Sequence, residues 1–191
     1  NVFIVSGSLA DASASPDAFV LPAQAGDLLV ALGRCAQASQ HSGGGRTIAV
    51  LGAGGGVGAS VLACALAEVG GNATLIDAHR LSGGLDLLLG VEERPGARWG
   101  EIVLGDGAVA RTDVRRALPS TASGTAVLTF ARSTVADPFR VDTAELERLC
   151  RAVGGEGLTV LDVPIDVLPA ACDLAVIVVT PTCLLYTSPS P

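Results

Sequence analysis

The chain has 191 residues, 49% of them hydrophobic and 16% charged, so it is too apolar for disorder and long enough to bury a core of its own. With 19 acids against 12 basic residues the formal charge is −7, which argues against a general nucleic-acid-binding surface. Every basic residue is arginine, and the absent lysine excludes Schiff-base chemistry, a lysine general base and the phosphate-gripping lysine of a P-loop.

Val2 to Val5 and Ala18 to Leu21 read as short strands, and Gly26 to Ala36 as a helix with Leu28, Leu29, Leu32 and Cys35 on one face. That is too little for a domain and reads as the end of one cut off upstream. Ser39 to Arg46 is polar and glycine-rich, as a linker between packed units is. Thr47 to Leu51 is a buried-strand run. A glycine-dense loop follows, then a helix from Ala59 to Val69 whose inner stripe is expected at Val61, Leu62, Ala65, Leu66 and Val69. Ala73 to Ile76 is the next strand, ending on Asp77, and the crossover length fits parallel neighbours.

Ala126 to Phe130 reads as a strand. Asp142 to Val153 reads as a helix opened by an Asp-x-x-Glu capping box (Asp142, Glu145), with Leu146, Leu149, Cys150 and Val153 as its apolar face. Leu158 to Leu161 and Leu174 to Val179 have buried-strand length. Such runs separated by helices indicate an α/β fold, a doubly wound, mostly parallel sheet covered on both sides.

Leu184 to Pro191 changes composition abruptly and is expected to be a non-native tail. With no Met in the chain, Asn1 is expected not to be a translation start, so the sequence reads as an internal fragment. No apolar run approaches the ~20 residues that span a bilayer. The five cysteines form no C-x-x-C pair, and most read as small core residues of a protein in a reducing compartment, hence a cytoplasmic one.

The segment Gly52-Ala53-Gly54-Gly55-Gly56-Val57-Gly58-Ala59-Ser60 lies between a buried strand and a helix. Glycines let successive N–H groups turn toward one point, and the helix N-terminus adds partial positive charge, so the natural guest is a phosphate. Two readings compete. As G-x-G-x-x-A (Gly54, Gly56, Ala59), with Asp77 about 20 residues on, it fits a dinucleotide-binding unit for NAD in which Asp77 holds a ribose hydroxyl. As G-G-x-G-x-S (Gly55, Gly56, Gly58, Ser60), it fits a P-loop with Ala59 at the lysine position and the Ser60 hydroxyl at the Mg²⁺ position. A glycine-rich turn that binds nothing is the third reading. The local string does not separate them.

Gly55-Gly56-Val57-Gly58, then Ile76-Asp77, then Gly84-Leu85-Asp86-Leu87-Leu88-Leu89-Gly90 resemble the ParA/MinD superfamily of deviant P-loop ATPases. Within it, Gly83 to Gly90, Pro95-Gly96-Ala97-Arg98-Trp99 and Ala117-Leu118-Pro119 are most similar to CpaE-like septum-site-determining proteins encoded near secretion and pilus-assembly genes. The resemblance implies a P-loop NTPase fold at 47–183, incomplete at its C-terminus. It also implies a receiver-like remnant at 1–37 and a linker at 38–46, with the tail at 184–191. It implies ATP or ADP with Mg²⁺ as cofactor, held by Gly54, Gly55, Gly56, Val57, Gly58, Ala59 and Ser60, with Asp77 a switch aspartate. Asp162 matches the Walker B aspartate and, with Ser60, would serve Mg²⁺. Division or pilus and secretion proteins are the implied partners, along with a homodimer. Membrane association through a C-terminal amphipathic helix is a property of some members that this stretch does not display.

Three charged positions of the family pattern are changed: Gly54 stands at the signature lysine, Ala59 at the phosphate-binding lysine and His79 at a second switch aspartate. The expected result is a pseudo-ATPase, with weakened nucleotide binding, little hydrolysis and no catalytic residue to name. An NAD-dependent oxidoreductase and a nucleotide-free interaction module are the alternatives. Arg46 and Arg80 flank the loop and the switch as arginines that could replace a lysine. His79 reads as a solvated loop residue, His41 as part of the linker, and Trp99 as a packing anchor. Two histidines without paired spacing make no case for zinc.

Overall fold

Apolar residues occupy both parities of the inner strands, so each strand has two faces to bury. Ile48 and Val50 enter one core cluster while Ala49 and Leu51 enter the other, and Leu75 and Ile76, or Val160 and Leu161, divide the same way. A sheet with two apolar faces needs helices on both. The computed structural model, which describes residues 2–6, 18–28, 30–31, 44–102, 110–132 and 140–179, has that arrangement.

Among the described residues seven strands form one sheet: β1 (Val2–Ser6), β2 (Ala18–Val20), β3 (Arg46–Gly52), β4 (Thr74–Asp77), β5 (Ala126–Leu128), β6 (Leu158–Asp162) and β7 (Leu174–Val179). Their order is β2-β1-β7-β3-β6-β4-β5, and every pairing is parallel. Helix α1 (Ala59–Gly70) packs on one face. Helices α3 (Arg111–Ala117) and α4 (Thr143–Val153) pack on the other, and α2 (Leu85–Leu89) follows β4. The fold is therefore α/β with a parallel sheet, as the sequence predicts.

The sheet runs across the expected linker. β1 pairs with β7 from Val2 opposite Ala175 to Ser6 opposite Val179, so the residues read as the end of an upstream unit extend the same sheet. Of the predicted first helix, residues 25–28, 30 and 31 are helical. Cys35, His41, Cys183, residues 38–43 of the linker and the tail 184–191 lie outside the described residues.

Helix α4 follows its sequence closely. Asp142 caps it, accepting from Glu145 N–H at 2.7 Å, and Leu146, Leu149, Cys150 and Val153 are all buried. Helix α1 does not. Its buried residues are Ala59, Ala63, Cys64, Leu66 and Ala67, whereas Val61 and Val69 are 61% and 75% exposed. The reason is close approach: a Cβ on Gly70 would fall 2.3 Å from Leu158 Cδ2, so the helix lies on the sheet through its small residues. A stripe chosen by side-chain size points the wrong way there.

The C-terminal ends of β3 and β6 position the site. β3 leads through α1 to β4 on one side, while β6 leads to β7 on the other. In open α/β sheets, ligands bind at the crevice where successive connections leave in opposite directions.

Candidate functional site

The glycine string forms the wall of a cavity of about 1020 Å³ at that crevice, and Gly54, Gly55, Gly56, Val57, Gly58, Ala59 and Ser60 all line it. Gly56 (φ 76°) and Gly58 (φ 90°) adopt left-handed backbone, which glycine accepts without strain. A Cβ on Gly52 would lie 3.0 Å from Val57 Cγ2 and 3.2 Å from Gly54 O, so the loop folds tightly over the strand end. Gly54 and Gly55 are different: nothing lies closer than 4.0 Å to a Cβ built there, so the loop has room for a side chain at either position.

Helix α1 opens on Gly58 with no side-chain cap and no acid in its first turn. Its leading N–H groups and the positive end of its dipole are therefore offered to the cavity without an internal counter-charge.

Two acids end neighbouring strands behind this loop, Asp77 on β4 opposite Asp162 on β6, and both are fully buried. Asp77 is committed to its own chain. It accepts from His79 N–H at 2.9 Å, Ser82 Oγ at 3.0 Å and Leu85 N–H at 3.3 Å. Burial pushes its pKa up to about 6, against the pull of these hydrogen bonds, with the Asp162 charge adding to the rise. The indole Nε1 of Trp99 donates to the Asp77 carbonyl at 2.6 Å, so Trp99 anchors this strand end as expected of a packing residue.

Asp162 is the opposite case. No hydrogen bond of good geometry reaches either carboxylate oxygen. Burial raises its pKa, held back by the Ser60 hydroxyl and by His79, whose Nε2 lies 3.6 Å from Oδ1. A buried carboxylate with so little hydrogen bonding is costly, and such a group marks a position where a further partner fits.

His79 corrects its sequence reading: it lines the cavity beside Asp162 and is not simply a solvated loop residue. Its place two residues after Asp77 is a weak signal, because a loop position does not announce what faces it. The two flanking arginines separate. Arg46 sits at the opposite end of β3, 3.5 Å from Asp173, whereas Arg80 lines the cavity. Also missed in the sequence is an apolar rim: Val61, Leu81 and Ile165 line the cavity and are 61%, 95% and 71% exposed.

Asp86, central in the Gly-Leu-Asp-Leu-Leu-Leu-Gly string, is buried under two arginines. Arg132 Nη2 stands 2.6 Å from its Oδ1 and Arg98 Nη2 stands 3.6 Å from its Oδ2. It ties α2 to the segment before Gly100 and to the end of β5, which gives that string a structural task. Among the described residues no group of three or more His, Cys, Asp or Glu side chains could hold a metal by itself, so a cation here would need ligands from a bound molecule or water.

No family model matches the chain, and no solved structure matches it at a significant level. Two curated relatives do, both uncharacterized proteins of Mycobacterium tuberculosis from different strains. Each is 36% identical over 164 residues, which is 83% of this chain and 45% of the relative. The chain thus spans less than half the length of the curated relatives it matches.

Proposed function

We propose that the chain carries a P-loop nucleotide-binding domain of ParA/MinD type, CpaE-like, that takes ATP or ADP with Mg²⁺ and hydrolyses it weakly or not at all. Its role is that of a positioning or regulatory factor in septum-site determination or in pilus and secretion assembly, exerted on cytoplasmic protein partners. The observation that carries the nucleotide reading is Asp162: a fully buried carboxylate reached by no hydrogen bond of good geometry, next to Ser60 at an uncapped helix N-terminus. Ser60 and Asp162 would hold Mg²⁺, which neutralises phosphate charge when bound, and Gly54 to Ala59 would hold the phosphates through backbone N–H groups.

Strand order supports this reading over the dinucleotide one. In a dinucleotide-binding unit the strand after the glycine loop neighbours the strand before it, with the ribose-binding acid at its end. Here β6 lies between β3 and β4, and the Asp77 carboxylate is occupied by His79, Ser82 and Leu85.

The missing lysine at Ala59 removes a charge-assisted contact worth roughly 1.5 to 3 kcal/mol, or about one to two decades of affinity. Binding survives such a loss more readily than hydrolysis, in which charge developing on the transferring phosphoryl oxygens has no lysine to meet it.

Titration of the protein with labelled ATP and Mg²⁺, with phosphate release followed in parallel, tests the reading. Saturable binding with negligible turnover is expected. Fast turnover abolished by Ser60→Ala would remove the pseudo-ATPase part. NADH binding without ATP binding would favour the oxidoreductase, and a melting temperature indifferent to every nucleotide would favour an empty interaction module.

A further inference from the structure

Deprived of lysine, the glycine loop still has one arginine within its cavity. Arg80 lines this cavity together with the loop, and no other described arginine does. Its position is fixed by a tight turn: Ser82 N–H donates to His79 O at 2.9 Å, which puts Arg80 at the second position of a four-residue bend. The bend is clamped at both ends onto the buried Asp77 carboxylate, through His79 N–H at 2.9 Å and Ser82 Oγ at 3.0 Å. Among the described residues the one acid on the cavity lining is Asp166, while Asp162 and Asp77 are fully buried. Without Arg80 the described walls would carry negative charge toward any phosphate, opposed only by the partial charge of the α1 terminus.

We propose that Arg80 is the anion-binding side chain of this site, contacting the phosphates of a nucleotide seated on Gly54–Ser60 and supplying from the β4–α2 turn the cation that Ala59 does not. This rests on the nucleotide reading above and goes beyond it by assigning the residue that holds the phosphate charge. The consequence is a change of chemistry as well as of address. A guanidinium offers a planar fork to two phosphate oxygens, whereas an ammonium acts as a point charge. It is also carried by a turn and not by the loop itself, so phosphate contact and the Asp77-clamped bend become one mechanical unit.

The test is calorimetric titration of the whole protein with ATP and Mg²⁺, and separately with inorganic triphosphate and Mg²⁺, over a range of salt concentrations. Arg80→Ala is expected to weaken both ligands by about 10- to 100-fold and to flatten the salt dependence. Arg80→Lys should recover part of the loss, and Arg80→Gln, which keeps the stem but not the charge, should behave as Arg80→Ala. Arg94→Ala serves as the control, because Arg94 Nη1 donates to Ser120 O at 2.5 Å and lies off the cavity. If Arg80→Ala and Arg80→Gln bind with wild-type affinity and salt dependence while Ser60→Ala does not, the assignment is wrong and the nucleotide reading stands. If the wild-type protein binds neither probe, the nucleotide reading fails and takes the assignment with it.

Discussion

Asp77 and Asp162 face each other in register across β4 and β6, equally buried, yet Asp77 accepts from His79, Ser82 and Leu85 while Asp162 is reached by no hydrogen bond of good geometry and has the Ser60 hydroxyl and His79 beside it. The first holds a turn together. The second lies poorly hydrogen-bonded beside the glycine loop. On hydrogen bonding the two differ, and that difference is what the proposal for Asp162 rests on.

A buried carboxylate with weak hydrogen bonding is carried at a cost in stability, so removing its charge should strengthen the fold while damaging the site. Asp162→Asn, nearly the same shape without the charge, is expected to stabilise the ligand-free protein by about 1 to 3 kcal/mol. It should also remove the Mg²⁺-dependent part of ATP affinity. Urea unfolding, and ATP titration with Mg²⁺ or with EDTA, measure the two effects. A variant less stable than wild type would mean that the carboxylate is holding structure.

The pH dependence of stability follows from Asp77. Its pKa is 3.8 when unperturbed and about 6 in the fold, so between these values the folded state keeps a proton that the unfolded chain has lost. Folding then takes up a proton, and stability falls as pH rises through that window, by at most about 3 kcal/mol at 1.36 kcal/mol per unit. The raised pKa of Asp162 acts in the same direction. Urea midpoints at pH 4.5 and pH 7 should therefore differ by less in Asp77→Asn than in wild type, and an equal difference in both would contradict the assignment.

Two thiols should be silent. Burial pushes both Cys64 and Cys150 up to about 12, with the Asp162, Asp77 and Glu68 charges adding to the rise at Cys64. Since the thiolate is the nucleophile, iodoacetamide at pH 8 should leave both unlabelled in the native protein and label both in urea. Peptide mass spectrometry reads each site separately, and native labelling of Cys64 would show that α1 opens from the sheet.

What the sequence made legible, it made legible through periodicity and capping. Leu146, Leu149, Cys150 and Val153 repeat at helical spacing behind an Asp142 cap, and all four are buried. Apolar strand runs located β3, β6 and β7 within a residue or so. Periodicity misled on α1, where close packing favours Ala63 and Ala67 and leaves the larger Val61 and Val69 outside. Helix α3 buries only Val114, so its seven residues carry hardly any apolar pattern to read. The glycine loop and both strand-end acids were readable because backbone freedom and strand termination are local properties. The His79 contact with Asp162 and the inward place of Arg80 were not, because they depend on which strand lies beside β4, a non-local fact.

Restoring the lost charge is the most direct functional prediction. Ala59 is the first residue of α1 and lines the cavity, so the stem of a lysine introduced there can run along the wall toward bound phosphate. Ala59→Lys is expected to tighten ATP binding in the presence of Mg²⁺ by about 10- to 100-fold, the inverse of the loss assigned to the missing contact. Gly54→Lys tests a different contribution. Position 54 has open space around it, so the substitution should fold normally yet add little affinity, since its side chain is directed by a loop backbone outside the first turn of α1. Calorimetric titration of the two single variants separates these effects. Tighter binding from Gly54→Lys with none from Ala59→Lys would mean that the phosphates lie over the start of the loop and not at the helix terminus, and the role given to Ser60 would have to be withdrawn.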